Sequence, residues 1–127
     1  MISFSECAVT ITKPFGVITS PGFPQFYRNG IDCTWNIQLS IGQLIQFNFL
    51  HFDLQSGIQD SLRIYDGDSN TSPMLGSYVG DSMPPSQISS SNQLFFHFHS
   101  DSSGTATGFK LEYNVTSKNT YRVHIMC

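Results

Sequence analysis

Gly16-Val-Ile-Thr-Ser-Pro-Gly-Phe-Pro-Gln-Phe-Tyr27, followed by Asp32-Cys33-Thr-Trp35, is the stretch on which the reading of this chain turns. A short run, Gly16–Ser20, breaks into Pro21-Gly-Phe-Pro24, a turn that proline and glycine enforce. A cysteine and the only tryptophan then open a second run. In it Trp35, Ile37 and Leu39 share one face, and Asn36 and Gln38 the other. Period two is the mark of a half-buried strand.

The same pattern continues along the chain. Gln43–Leu54 puts Ile45, Phe47 and Phe49 on one face, and the apolar phase switches at Leu50 and Phe52, which predicts a bulge or bend there. Asp60–Asp66 alternates Leu62 and Ile64 with Ser61 and Arg63 and ends in Asp66-Gly67, a turn signal. Met74–Val79 and Gln87–Ser89 are weaker strands. Gln93–Ser100 turns Leu94, Phe96 and Phe98 inward, and Gly108–Val115 turns Phe109, Leu111, Tyr113 and Val115 inward. No segment holds a helical period for three turns. The expectation is an all-β fold, a two-sheet antiparallel β-sandwich.

Composition narrows the function classes. The chain has 127 residues, enough for one domain with an apolar core. Charged residues are 12% and the net charge is −3, so a nucleic-acid surface of clustered Lys and Arg is excluded. No apolar run approaches the ~20 residues that cross a bilayer, so direct membrane insertion is not expected. Met1-Ile-Ser-Phe-Ser-Glu6 lacks the basic end and apolar stretch of a signal peptide. Asn70-Thr-Ser72 and Asn114-Val-Thr116 both satisfy the N-glycosylation pattern. With a disulfide-type cysteine pair they point to a glycoprotein that is secreted or held at the cell surface.

The opening stretch, Phe52-Asp-Leu54, Asp60-Ser-Leu-Arg-Ile-Tyr-Asp-Gly67, and Ser100-Asp101 with Gly108-Phe109 together resemble the CUB domain. That family is an extracellular β-sandwich interaction module of jelly-roll type. The resemblance covers 7–115. It leaves 1–6 as an N-terminal extension and 116–127 as a linker, the edge of a next domain or a divergent last strand. The alternation in Tyr121-Arg-Val-His-Ile-Met keeps the last option open.

Three cysteines cannot all pair within one chain. The resemblance implies a disulfide between Cys7 and Cys33. A second bridge, common in the family, would fall near Gly57 or Ile58 and at Val79, and both halves are absent together. Cys127 reads as the first cysteine of a following module, a free thiol or an intermolecular bridge.

Many members of the family bind calcium at one end of the sandwich. The resemblance implies Tyr27, Asp60 and Asp101 as matching site residues. Gln55 stands where the family has a glutamate, and Gly104 stands where it has an asparagine, which leaves a backbone carbonyl near Ser103. Calcium takes six to eight oxygen ligands, and its affinity follows carboxylate count and rigidity. Two carboxylates here replace three, so affinity falls. The competing reading makes Asp60 and Asp101 turn residues bonded to backbone amides. Asp53 could compensate only by pointing into the same loop.

Other chemistry is sparse. His97 and His99 share a strand face, with His51 placed on an adjacent strand. Zinc needs three or four convergent ligands, and a solvated polar stripe is the commoner meaning of such a pair. There is no nucleophile elbow, phosphate loop or His-Glu-x-x-His, so no enzyme is expected. The function expected is recognition of a protein ligand through a basic side chain, presented to the Tyr27–Gln55–Asp60–Asp101 end with or without calcium. The alternatives are a glycan-binding CUB-like protein and a non-catalytic regulatory domain of a multidomain protease.

Overall fold

The computed structural model describes residues 6–54, 60–101 and 106–117. The described strands are β1 (Glu6–Ile11), β2 (Phe15–Thr19), β3 (Asp32–Gln38), β4 (Gln43–Asp53), β5 (Ser61–Tyr65), β6 (Met74–Tyr78), β7 (Gln87–Ile88), β8 (Gln93–His99) and β9 (Gly108–Ser117). They form a five-stranded sheet in the order β1-β3-β8-β5-β6 and a four-stranded sheet in the order β2-β9-β4-β7. Alternation decides which face closes the core. In β8 Leu94, Phe96 and Phe98 are wholly buried, while Phe95, His97 and His99 between them are only half-buried.

The bulge expected in β4 lies between Phe49 and His51. It throws Leu50 outward, 46% exposed, and returns Phe52 to the core. Without that shift the two apolar halves of the strand would face opposite ways.

Two features depart from the sequence expectation. Residues 6–11 form a strand that the reading of the sequence did not name. This strand also runs parallel to β3, in an otherwise antiparallel sheet. Cys7, Val9 and Ile11 alternate with Ala8 and Thr10, but as an edge strand it buries little: Val9 is 43% exposed. Cys7 and Cys33 are direct cross-strand partners, their Cα atoms 4.5 Å apart and joined by the disulfide.

Aromatic rings join the layers edge to face. Trp35 meets Phe109 at 5.7 Å, Phe47 meets Phe96 at 5.6 Å and Phe98 meets Phe109 at 5.4 Å. Such pairs contribute ~0.5–1.5 kcal/mol beyond the area they bury. Three buried serines complete strand ends where the ladder runs out. Ser20 Oγ accepts from Phe109 N, Ser89 Oγ from Ile45 N and Ser100 Oγ from Ile31 N. Gly108, at φ +97°, sits so close to Ser20 that a Cβ would overlap its side chain.

Candidate ion and ligand site

At one end of the sandwich the turn after β2, the entry to β5 and the exit of β8 meet. Asp60 is 1% exposed and Tyr27 is 1% exposed. The Tyr27 hydroxyl donates to Asp60 Oδ2 at 2.6 Å, and the Asp101 backbone N–H donates to Asp60 Oδ1 at 2.7 Å. The tyrosine–aspartate distance is that of a charge-assisted O–H···O⁻ bond. One carboxylate therefore ties together residues 33 and 41 positions away in sequence.

Why the chain converges here follows from its neighbours. The Tyr27 ring packs edge to face on Phe98 at 5.0 Å, and its N–H donates to Ala106 O at 3.1 Å. Gly30, at φ +71°, turns the chain so that its N–H reaches Asp101 O at 2.8 Å. Ser100, fully buried, donates its hydroxyl to Arg28 O at 2.8 Å. Loop 27–31 is thus stitched to the end of β8 before any ligand is considered. Sequence reasoning missed Ser100 as a member, although it stands beside Asp101 in the family-like motif.

Tyr27, Asp60 and Asp101 therefore come together. Gln55, Ser103 and Gly104 lie outside the described residues, as do Gly57, Ile58 and Cys127. Asp53 does not join the cluster. It accepts from the Thr107 hydroxyl at 3.2 Å, and Thr107 Oγ1 is 2.7 Å from His51 Nε2. Thr107 Oγ1 thus bridges Asp53 and His51, away from the cluster. Among the described residues, no group of three or more His, Cys, Asp or Glu side chains converges on a metal position.

The histidines divide between the sheets, which corrects the placement of His51 on a strand adjacent to β8. His51 is on β4, whereas His97 and His99 are on β8 of the opposite sheet. His97 Nε2 and His99 Nδ1 lie 2.8 and 3.0 Å from the same oxygen, Asp32 Oδ1. Burial acts to raise the Asp32 pKa, but hydrogen bonds and charge from both rings outweigh it and hold the carboxyl below its usual value. Both sequon asparagines are exposed, Asn70 in the β5–β6 turn and Asn114 on β9.

Compared with known proteins, residues 7–113 match the family described as CUB domain. The chain is 39% identical over 111 residues to human tumor necrosis factor-inducible gene 6 protein, covering 85% of this chain and 40% of that one. It is 42% identical over 113 residues to dog cubilin, covering 87% of this chain and 3% of that one. It thus spans well under half the length of either relative. A solved structure, the MASP-1 CUB2 domain bound to Ca2+, superposes with a TM-score of 0.76 at 28% identity, covering 83% of this chain and 96% of that domain.

Proposed function

The chain belongs to the CUB domain family, an interaction module of extracellular proteins, and from that premise we propose that it recognises a protein ligand through the loop end built on Tyr27, Asp60 and Asp101, ordered by calcium. The observation that carries this reading is the buried Asp60 carboxylate. Among the described residues the ion pairs are those of Asp32, so Asp60 keeps two hydrogen bonds but no cation beside it. A buried carboxylate left without a counter-charge is costly. A hard divalent cation would offset that cost.

The donor set suits calcium, since it is all oxygen. Asp60 and Asp101 would supply carboxylates, Gln55 an amide oxygen and Ser103 a backbone carbonyl. Tyr27 would hold Asp60 in orientation through its hydroxyl. Bound calcium would supply the positive charge that Asp60 lacks, and Asp60 and Asp101 would hold it. The chain's own residues then leave acidic oxygens at the rim for a lysine or arginine of the partner, as a charge-assisted contact requires. The calcium-bound relative supports this reading at the level of the family. On the same proposal the chain acts as a secreted or ectodomain module with no catalysis of its own.

A calcium titration read by thermal melting tests it, with a chelator control. Calcium should raise Tm in the parent, more strongly in Gln55→Glu, and not at all in Asp101→Ala. An unchanged Tm at millimolar calcium in both the parent and Gln55→Glu would return Asp60 and Asp101 to the role of turn residues.

A further inference from the structure

The outer face of the four-stranded sheet ends in an apolar edge that none of the described residues covers. On β2, Phe15 is 66% exposed and Val17 is 57% exposed. Gly16 between them faces inward, where the Tyr113 ring stands 3.1 Å from the position of a Cβ. Strand register sets what lies beside the edge. Phe15 is the direct cross-strand partner of Asn114, and Val17 that of Glu112. Side chains of directly opposed residues share a face and stand ~4.5–5.5 Å apart at Cβ. Beyond Glu112 on the same face, Asn48 Nδ2 donates to Glu112 Oε2 at 3.1 Å. Phe15, Gly16, Val17, Asn48, Glu112, Tyr113 and Asn114 line one depression of about 330 Å³.

Asn114 is the acceptor residue of a sequon, it is exposed, and it is on the rim of that depression. We infer that Asn114 carries an N-linked glycan whose first N-acetylglucosamine lies back across Phe15 and Val17 and serves as the cover of this sheet edge. The inference rests on the extracellular origin of the family, not on the ion site.

The chemistry of the two surfaces matches. A β-linked N-acetylglucosamine presents axial C–H groups on one ring face and an N-acetyl methyl beside them. These are apolar surfaces suited to an aromatic ring and a valine. Its hydroxyls and N–H point outward around the ring, where the Glu112 carboxylate can accept and the Asn48 amide can both accept and donate. Apolar walls with a few placed polar groups are the usual make-up of a ligand site. Exposed apolar surface on a secreted domain otherwise invites association. The second sequon differs. Asn70 sits in a turn closed by Asp66 N–H to Pro73 O, with the Ser69 and Thr71 hydroxyls bonded to each other. A glycan there has polar turn atoms beneath it and projects into solvent.

The test uses the full chain secreted from a eukaryotic host that adds high-mannose glycans. Glycopeptide mass spectrometry reads occupancy at both sites. An endoglycosidase then trims each glycan to a single N-acetylglucosamine. Asn114 should be occupied. Asn114→Gln should lower Tm by about 2–4 °C and raise binding of a hydrophobic dye, whereas Asn70→Gln should change neither. Phe15→Ser should erase the Tm difference between the glycosylated and Asn114→Gln forms. Phe15 is exposed, so this change leaves the core intact. In the NMR spectrum of the trimmed protein, one N-acetyl methyl should move upfield through the Phe15 ring current and return in Phe15→Ser. An empty Asn114 site overturns the inference. So does an occupied site whose methyl shift and Tm effect ignore Phe15→Ser. Dimerisation through this edge with the glycan in place would assign the edge to a second copy and equally overturn it.

Discussion

Tyr27→Phe isolates one hydroxyl in the most connected part of the site. The ring stays, so its edge-to-face contact with Phe98 at 5.0 Å and its 1% exposure are preserved. What goes is the donor to Asp60 Oδ2 at 2.6 Å. A hydrogen bond to a charged group contributes ~1.5–3 kcal/mol, and a buried acceptor left short of a donor costs its desolvation as well. For a domain of this size that corresponds to a fall in Tm of about 5–10 °C. Tyr113→Phe is the matched control. Its hydroxyl donates to a neutral acceptor, Lys13 O at 2.9 Å, and burial pushes its phenol above the ordinary 10.0, so it is a donor at neutral pH. That bond is worth ~0.5–1.5 kcal/mol, or about 2–5 °C. Melting both variants in chelator at neutral pH, monitored by circular dichroism, gives the comparison. If Tyr27→Phe costs no more than Tyr113→Phe, Asp60 is not held as a buried anion, and the argument for an ion beside it fails.

Trp35→Ala should cost ~3–5 kcal/mol, because Trp35 is 8% exposed and packed on Phe109; urea unfolding measures it. Replacing both Cys7 and Cys33 by serine should lose ~3 kcal/mol for a loop of 26 residues, read as a lower midpoint. Gly108→Ala should destabilise by ~2–4 kcal/mol, since φ +97° and the overlap with Ser20 act together; unchanged melting would show that the β9 entry relaxes freely. The Asp32 pKa is lowered in the fold, so its contribution is present above the ordinary value of 3.8 and lost as pH falls below it through the folded value. Asp32→Asn should therefore flatten the acid limb of Tm against pH, and an unaltered limb would mean the two histidines do not hold it.

The alternation in β3, β4, β8 and β9 was legible in the sequence because a strand between core and solvent must change polarity at every residue. Trp35, Ile37, Phe47, Phe96 and Phe109 could be assigned to the core on that ground, and the bulge in β4 showed as a break in the same rhythm. The motif residues Tyr27, Asp60 and Asp101 could be named and placed at one end of the sandwich from family resemblance, but the hydrogen bonds that join them could not. β1 carries the same alternation in Cys7, Val9 and Ile11, but its parallel pairing with β3 was not legible. Pairing between residues distant in sequence was decided only in three dimensions. No local pattern records that Asp60 joins Tyr27 to Asp101, that one Asp32 oxygen meets His97 and His99, or that Asn114 stands opposite Phe15. Each depends on which strands are neighbours and in what register, and register is set by the packing of two whole sheets.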